Sequence, residues 1–176
     1  FYGEVSAERV PIFPLSLNRK LGGGVPRQSQ VGVCARPNVG KTTWLANYAG
    51  CLAANRYKVL YITNEDPGRY VAHRLIARLS GATRDEVEDA EEQYRPTALE
   101  AGYGNISLAE LEPGNIPEIR SLLSECEPDV FIVDQLYPIV TQDKSGPTLG
   151  LAQFTSQTRK LAREFNCISV ICTQQD

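Results

Sequence analysis

The stretch that decides the fold runs from residue 31 to residue 42 and reads Val31-Gly32-Val33-Cys34-Ala35-Arg36-Pro37-Asn38-Val39-Gly40-Lys41-Thr42. Its apolar start is typical of a buried strand, and a loop and the first residues of a helical pattern follow. The last eight residues follow the phosphate-binding loop pattern G-x-x-x-x-G-K-[ST], except that Ala35 replaces the first glycine. Because the motif lies between a strand and a helix, it predicts a P-loop rather than a chance glycine turn.

The residue types of this loop suit the binding of a nucleoside triphosphate. Backbone N–H groups of the loop and of the helix N-terminus can point at phosphates, and Gly40 allows an approach that a side chain would block. Lys41 supplies positive charge to the β- and γ-phosphates, and the Thr42 hydroxyl can bind Mg²⁺. We therefore expect ATP and Mg²⁺ as cofactors, with Lys41 also in a catalytic role. The predicted nucleotide contacts are Ala35, Arg36, Pro37, Asn38, Val39, Gly40, Lys41, Thr42 and Thr43.

Strand-like and helix-like patterns alternate along the chain. They predict an α/β fold with a mostly parallel sheet flanked by helices on both faces. Residues 1–29 are expected to be a lead-in segment or linker, and residues 30–176 the core of the domain. We expect the strand 59–63 to lie next to the P-loop strand. The predicted strands are 31–35, 59–63, 105–108, 130–134 and 168–172, the predicted helices are 40–54, 68–80, 116–124 and 148–165, and residues 82–103 are predicted as one short helix plus a loop.

Two acidic positions at strand ends are candidates for catalysis. Asp134 closes the apolar run 130–133, where an acid is costly unless it faces a site. We interpret Asp134 as the Walker B acid, which holds Mg²⁺ through water in P-loop proteins, rather than as a turn-capping aspartate. Glu65 follows the strand 59–63 and could orient or deprotonate an attacking water. Asp66 is a weaker candidate for that role, and an ordinary acidic turn is the alternative for both.

Two further segments carry open alternatives. Gln174 follows the last strand, where its amide could sense the γ-phosphate by a hydrogen bond. Thr173 and Gln175 are nearby candidates, and a simple polar strand exit is the other interpretation. The segment 141–147 contains Lys144 as its only cation and is either a DNA-contacting loop or a flexible connector.

The composition limits other functions. The net charge is −3, whereas a protein that coats DNA nonspecifically is usually basic, so contact with nucleic acid must be local. No apolar run approaches the length of a membrane span. The five cysteines form no CxxC pair and His73 is the single histidine, so zinc-site spacing is absent. We expect His73 to be solvated or at the edge of the core, and Arg69, Arg74 and Arg78 to form an exposed helix face.

The P-loop resembles that of DnaB-type replicative helicases, because Ala-Arg-Pro-x-x-Gly-Lys-Thr at residues 35–42 is closer to that family than to P-loop proteins at large. The resemblance implies a RecA-like P-loop NTPase fold with residues 30–176 as the ATPase core. It also implies Glu65 as the catalytic glutamate and Gln174 as the γ-phosphate-sensing glutamine. The implied activity is that of a cytoplasmic helicase that works as a homo-oligomeric ring, expected to be a hexamer, on single-stranded DNA at a replication fork. Similar segments occur at residues 21–24, 59–66, 116–121 and 172–174.

Some features depart from that family. Gln135-Leu136-Tyr137 follows Asp134 where the family usually has tyrosine-leucine-glutamine, which points to a divergent branch such as one from a phage. The family's arginine finger and second DNA loop are expected beyond Asp176, and contacts with primase and a helicase loader are expected through regions outside this chain. A RecA- or RadA-type recombination or repair ATPase and a KaiC-like regulatory ATPase remain alternatives. A nucleotide-binding module with poor turnover is disfavoured by Lys41, Thr42, Glu65 and Asp134.

Overall fold

The core of the molecule is a five-stranded parallel sheet. The computed structural model describes residues 8–64, 66–112, 115–136 and 147–174. The strands of the sheet lie in the order β3-β7-β6-β4-β5, and every neighbouring pair is parallel, which confirms the predicted fold class. The elements are β1 (Arg9–Val10), α1 (Leu15–Lys20), β2 (Val25–Pro26), β3 (Gln30–Ala35), α2 (Lys41–Ala54), β4 (Val59–Thr63), α3 (Gly68–Ser80), α4 (Arg84–Glu100), β5 (Ile106–Glu110), α5 (Ile116–Cys126), β6 (Val130–Leu136), α6 (Pro147–Glu164) and β7 (Ile168–Gln174).

The prediction that β4 lies next to the P-loop strand is wrong. β3 pairs with β7, and β4 lies between β6 and β5, so two strands separate β3 from β4. All five residues of β4 are buried, as expected of a strand with neighbours on both edges. β3 is the outermost described strand on its side, and Gly32 and Cys34 are exposed. The prediction failed because the order of strands along a chain does not fix their order in a sheet. β6 and β7, which are more apolar than β3, lie between β3 and β4.

Helices cover both faces of the sheet, as predicted. Side chains alternate between the two faces along each strand, so Tyr61 packs with Leu45 of α2 on one face. Leu60 packs with Leu161 of α6 on the other face. α3 shares the face of α2, and α5 shares the face of α6. Within the described part of the chain, no helix is both long and apolar enough to cross a membrane.

Residues 82–103 form a longer helix than the short one that we predicted. α4 begins with a capping box in which Thr83 and Glu86 exchange hydrogen bonds between side chain and backbone. The helix kinks at Ala90, which has a φ of −144° and a ψ of 54°. Its buried residues are Val87 and Ala98, so its apolar periodicity is too sparse to reveal its length.

His73 is buried, contrary to the prediction that it would be solvated or at the core edge. Its side chain is 1% exposed, and its Nε2 lies 3.0 Å from Glu91 Oε2 on α4. The helix α4 packs on the face of α3 that carries His73. This contact was not predicted, because the sequence indicated only a short helix in residues 82–103. Arg69 and Arg78 are exposed, as predicted, whereas Arg74 is partly buried.

The described part of the amino-terminal segment packs against the core. β1 and β2 form an antiparallel pair, and Val10 and Ile12 are buried in the same cluster as α2. Arg27 forms ion pairs with Glu8 at 3.0 Å and with Asp129 at 2.6 Å. Because Asp129 immediately precedes β6, these contacts fix the segment at the amino-terminal end of the sheet, opposite the P-loop.

Candidate nucleotide-binding site

The predicted site residues come together at the carboxyl ends of the strands. Ala35 ends β3 and pairs with Gln174 of β7, and Thr63 ends β4 and pairs with Asp134 of β6. In an open parallel sheet these ends form the edge at which ligands bind. The fold therefore brings the P-loop and Asp134 together, although Thr42 and Asp134 are 92 residues apart in the sequence.

The backbone of the P-loop contains left-handed turns of the kind found in anion-binding loops. Asn38 (φ 59°) and Gly40 (φ 91°) lie in the left-handed region, and such turns direct successive N–H groups into an anion-binding concavity. A Cβ added to Gly40 would meet no protein atom within 4 Å, so lack of space in the chain does not explain the glycine. The positive φ of this residue does, because side chains disfavour it. Its role in the close approach of a phosphate stays a prediction. Ala35 ends a strand without a positive φ, which explains why alanine fits where the common pattern has glycine.

Lys41 begins α2, and its side chain folds back over the loop. The residue is 7% exposed, and its ammonium donates a hydrogen bond to the Arg36 carbonyl oxygen at 3.1 Å. The loop residues from Arg36 to Val39 are exposed. Lys41 therefore adds a full positive charge to the N–H groups of the loop and of the helix N-terminus, which favour an anion on their own.

The Thr42 hydroxyl faces the carboxylate of Asp134. Thr42 Oγ1 lies 3.4 Å from Asp134 Oδ1, and Asp134 is 3% exposed. Hydroxyl and carboxylate oxygens are ligands that Mg²⁺ prefers. This ion usually takes only one or two ligands from the protein and the rest from water and phosphates. The chemistry of this donor pair therefore fits Mg²⁺.

Tyr61 is a residue of the site that the sequence reasoning missed. It is fully buried, and its hydroxyl lies 2.6 Å from Asp134 Oδ2. Burial and the neighbouring Asp134 carboxylate raise the pKa of Tyr61 well above its usual value, so the phenol stays protonated and donates a hydrogen bond to Asp134. The available signal was a tyrosine inside a buried strand, because a buried hydroxyl needs a hydrogen-bond partner.

Arg74 also lies closer to the site than its predicted place on an exposed helix face. Its Nη1 lies 3.4 Å from Thr43 Oγ1 in the first turn of α2. The positive charge of Arg74 lowers the pKa of Tyr61, whereas burial and the Asp134 carboxylate raise it. The packing of α3 against α2 brings this guanidinium to the site, and its position along the sequence alone gave no sign of it.

Other predicted features are not tested by the structure. Glu65, the predicted catalytic base, lies outside the described residues, as do Gln175 and residues 141–146 with Lys144. For Gln174 the structure gives the backbone pairing with Ala35 and no description of the side chain. Their roles in catalysis, γ-phosphate sensing and DNA contact stay predictions.

Comparison with known sequences gives the family. Residues 5–175 match a family model described as an AAA domain. The DNA repair protein RadA of Mycolicibacterium smegmatis is 29% identical over 145 residues, and the DNA repair protein RadA of Chlamydia pneumoniae is 30% identical over 147 residues. These alignments cover 82% of this chain but 26% and 27% of the relatives. The chain thus spans about a quarter of the length of the curated relatives that it matches.

Two solved structures share the fold. A DnaB-like replicative helicase, described with its interactions with primase, has a TM-score of 0.80 at 20% identity, over 96% of this chain and 43% of that one. The ATPase domain of G40P has a TM-score of 0.77 at 20% identity, over 98% of this chain and 66% of that one. The chain therefore belongs to the AAA domain family and has the RecA-like P-loop ATPase fold that is also found in DnaB-like replicative helicases.

Proposed function

We propose that this chain is the motor core of an ATP-dependent DnaB-type replicative DNA helicase, which couples ATP hydrolysis to translocation on single-stranded DNA and to duplex unwinding. The observation that carries the ATPase part is the approach of Thr42 Oγ1 to Asp134 Oδ1 at 3.4 Å beside a P-loop with left-handed turns. A phosphate-binding loop, a hydroxyl and a carboxylate at the ends of parallel strands are the groups that phosphoryl transfer uses.

Each residue of the site has a role in this proposal. The P-loop amides and Lys41 hold the β- and γ-phosphates, while Thr42 and Asp134 would hold Mg²⁺, which supplies positive charge to the phosphate oxygens when bound. Glu65 accepts a proton from the attacking water. The new bond from the water oxygen to the γ-phosphorus forms as the bond to the β-phosphate oxygen breaks. Gln174 donates a hydrogen bond to the γ-phosphate and senses its presence.

The helicase part of the proposal rests on the resemblance of residues 35–42 and 59–66 to DnaB-type helicases, together with the RecA-like fold. In such a motor, ATP would lie between neighbouring subunits of a homo-oligomeric ring, expected to be a hexamer, because repeated head-to-tail contacts can close into a ring. Single-stranded DNA would contact loops inside the ring, with the segment 141–147 as one candidate. Primase and a helicase loader are the expected protein partners, and the cytoplasm is the expected location.

A RadA-type repair ATPase is the second candidate, and the names of the curated relatives favour it. The relatives from Mycolicibacterium smegmatis and Chlamydia pneumoniae are both DNA repair proteins named RadA. The alignments cover 82% of this chain, and both candidate functions require an ATPase core. The two candidates are therefore separated by what the protein does to DNA rather than by its nucleotide site.

Strand displacement on a forked duplex tests the proposal. A protein that carries this chain in its native context should displace the strand in an ATP-dependent reaction, and Lys41→Ala should abolish the displacement. Hydrolysis that single-stranded DNA stimulates, without displacement at the fork, would contradict the helicase and favour the repair ATPase. Hydrolysis that is indifferent to DNA would contradict both and favour a regulatory ATPase.

A further inference from the structure

Tyr61 and Asp134 make a buried contact between neighbouring strands. Tyr61 on β4 pairs with Ile132 on β6, so Asp134 lies two residues further toward the carboxyl end of the sheet. Residues two apart on a strand point to the same face, and a tyrosine side chain is long enough to reach a diagonal neighbour. The hydroxyl oxygen of Tyr61 lies 2.6 Å from Asp134 Oδ2, within the range of a charge-assisted hydrogen bond.

The two carboxylate oxygens of Asp134 face different partners. Oδ2 accepts a hydrogen bond from Tyr61, while Oδ1 faces the Thr42 hydroxyl at 3.4 Å. The terminal torsion of an aspartate is broad, so a carboxylate without a fixed partner can turn easily. A short hydrogen bond to Oδ2 restricts this rotation. It thereby keeps Oδ1 directed at the hydroxyl with which it would share a metal ion.

We propose that Tyr61 is a positioning residue, whose hydroxyl holds the Asp134 carboxylate in the orientation that binds Mg²⁺ together with the nucleotide. The inference rests on the proposed ATPase function and adds to the site a residue of a different strand. Groups that orient a metal ligand are worth about 10- to 100-fold in metal affinity or activity. The hydroxyl of Tyr61 carries this role, and the ring contributes to the core on the α2 face of the sheet.

The test compares two tyrosines that each lose only a hydroxyl. Tyr61→Phe removes the group that contacts Asp134. Tyr48→Phe is the matched control, because Tyr48 is also buried and its hydroxyl donates to the Pro11 carbonyl at 3.0 Å. Calorimetric titration with a nonhydrolysable ATP analogue, in excess Mg²⁺ and again in EDTA, isolates the contribution of Mg²⁺ as the ratio of two affinities. We expect Tyr61→Phe to lower this ratio about 10-fold at unchanged affinity in EDTA, and Tyr48→Phe to preserve it.

The outcomes separate this inference from the proposed function. If the unaltered chain binds the analogue no better with Mg²⁺ than in EDTA, the proposed function itself fails. If the unaltered chain gains affinity with Mg²⁺ and Tyr61→Phe gains as much, only the role of Tyr61 is contradicted. An equal fall in Tyr48→Phe would also overturn it. In an Asp134→Ala background, Tyr61→Phe should cause no further fall, because the hydroxyl acts through that carboxylate.

A measurement that retains the phenol covers the case in which Tyr61→Phe does not fold. 3-Fluorotyrosine introduced at position 61 alone reports on the surroundings of this ring by fluorine NMR. Addition of Mg²⁺ to the chain with the bound analogue should shift the fluorine signal, because the charge on the neighbouring carboxylate becomes shared with the ion. A signal that does not respond to Mg²⁺ would contradict the proposed role.

Discussion

Two aspartates lie near opposite ends of β6 and have different surroundings. Asp129, just before the strand, accepts hydrogen bonds from the Arg27 guanidinium at 2.6 Å and from the Lys58 N–H at 2.8 Å. Asp134, near the carboxyl end, accepts a hydrogen bond from the Tyr61 hydroxyl at 2.6 Å. The side chain of Asp129 is 23% exposed, whereas Asp134 is 3% exposed. The more buried carboxylate is therefore the one that a hydroxyl holds.

In the proposed site, this difference separates a carboxylate that serves stability from one that would serve ligand binding. The Arg27 guanidinium neutralises Asp129 and joins the amino-terminal segment to the sheet. The Tyr61 hydroxyl that contacts Asp134 adds no full positive charge, which suits a carboxylate that would bind Mg²⁺ under the proposed function. Changes at the carboxyl end should therefore alter nucleotide chemistry, and changes at the amino end should alter the free energy of unfolding.

The largest expected effect is on hydrolysis, at Glu65. Glu65→Gln keeps the shape of the side chain and loses the base, so we expect the ATPase rate to fall about 10²- to 10⁴-fold at unchanged affinity for the nonhydrolysable analogue. A steady-state ATPase assay and a calorimetric titration measure the two quantities. Asp66→Asn is the control. If Asp66→Asn loses hydrolysis and Glu65→Gln does not, Asp66 is the base.

The next effect is on nucleotide binding, at Lys41. Lys41→Ala removes a charge-assisted contact to the phosphates worth about 1.5–3 kcal/mol, so the affinity for the analogue should fall about 10- to 100-fold. Lys20→Ala removes an exposed lysine in the last turn of α1 and serves as the control with unchanged affinity. Equal affinities of Lys41→Ala and the unaltered chain in calorimetry would contradict the P-loop assignment.

At the amino end, the expected effect is on stability. Arg27→Ala leaves the Asp129 carboxylate without its cation, so the free energy of unfolding in urea should fall by about 1–3 kcal/mol. Arg120→Ala breaks an ion pair with Glu164 whose side chains are 50% and 46% exposed, and it should cost less than about 1 kcal/mol. Analogue affinity should be unchanged in both variants. A loss of affinity for the analogue in Arg27→Ala would contradict the view that the amino-terminal end of the sheet serves stability alone.

The smallest expected effect is on stability in acid, at Glu91, which pairs with Arg95 and His73 away from both ends of the sheet. A hydrogen bond from Arg95 lowers the pKa of Glu91 below its usual value near 4.5, and a hydrogen bond from His73 lowers it by a smaller amount. A lowered pKa stabilises the folded chain above about pH 4.5, and this contribution is lost as the pH falls through the folded-state value. Glu91→Gln should therefore flatten the acid dependence of the free energy of unfolding by about 0.5 kcal/mol, at unchanged analogue affinity. An unaltered acid dependence in urea titrations at several pH values would contradict this.

Local patterns were enough to predict most of the elements, and they failed where the structure depends on distant parts of the chain. The helix 68–80 was predicted with the bounds that α3 has, because an apolar stripe and a flanking glycine are local signals. The length of α4 depends on its packing against α3, and the burial of His73 depends on the same contact. Neither can be derived from the residues of one segment.

In the candidate site, too, local motifs could be predicted, whereas contacts between distant parts of the chain could not. The positions of the P-loop and of Asp134 at the ends of strands could be predicted because each follows or closes an apolar run, and their roles stay predictions. Tyr61 could not be predicted, because its role depends on which strand lies beside β4. The wrong expectation that β4 adjoins the P-loop strand hid this residue, whereas the observed pairing of β4 with β6 brings Tyr61 within reach of Asp134.

The two aspartates near the ends of β6 give the most direct test of the proposed metal site. The measurement is calorimetric titration with the nonhydrolysable ATP analogue, with Mg²⁺ and in EDTA, for Asp134→Asn and Asp129→Asn at a temperature at which both are folded. We expect Asp134→Asn to lose the gain in affinity that Mg²⁺ gives the unaltered chain. Asp129→Asn should keep that gain even though its free energy of unfolding is lower. A gain retained in Asp134→Asn, or lost to the same extent in Asp129→Asn, would contradict the assignment of Asp134 to the metal.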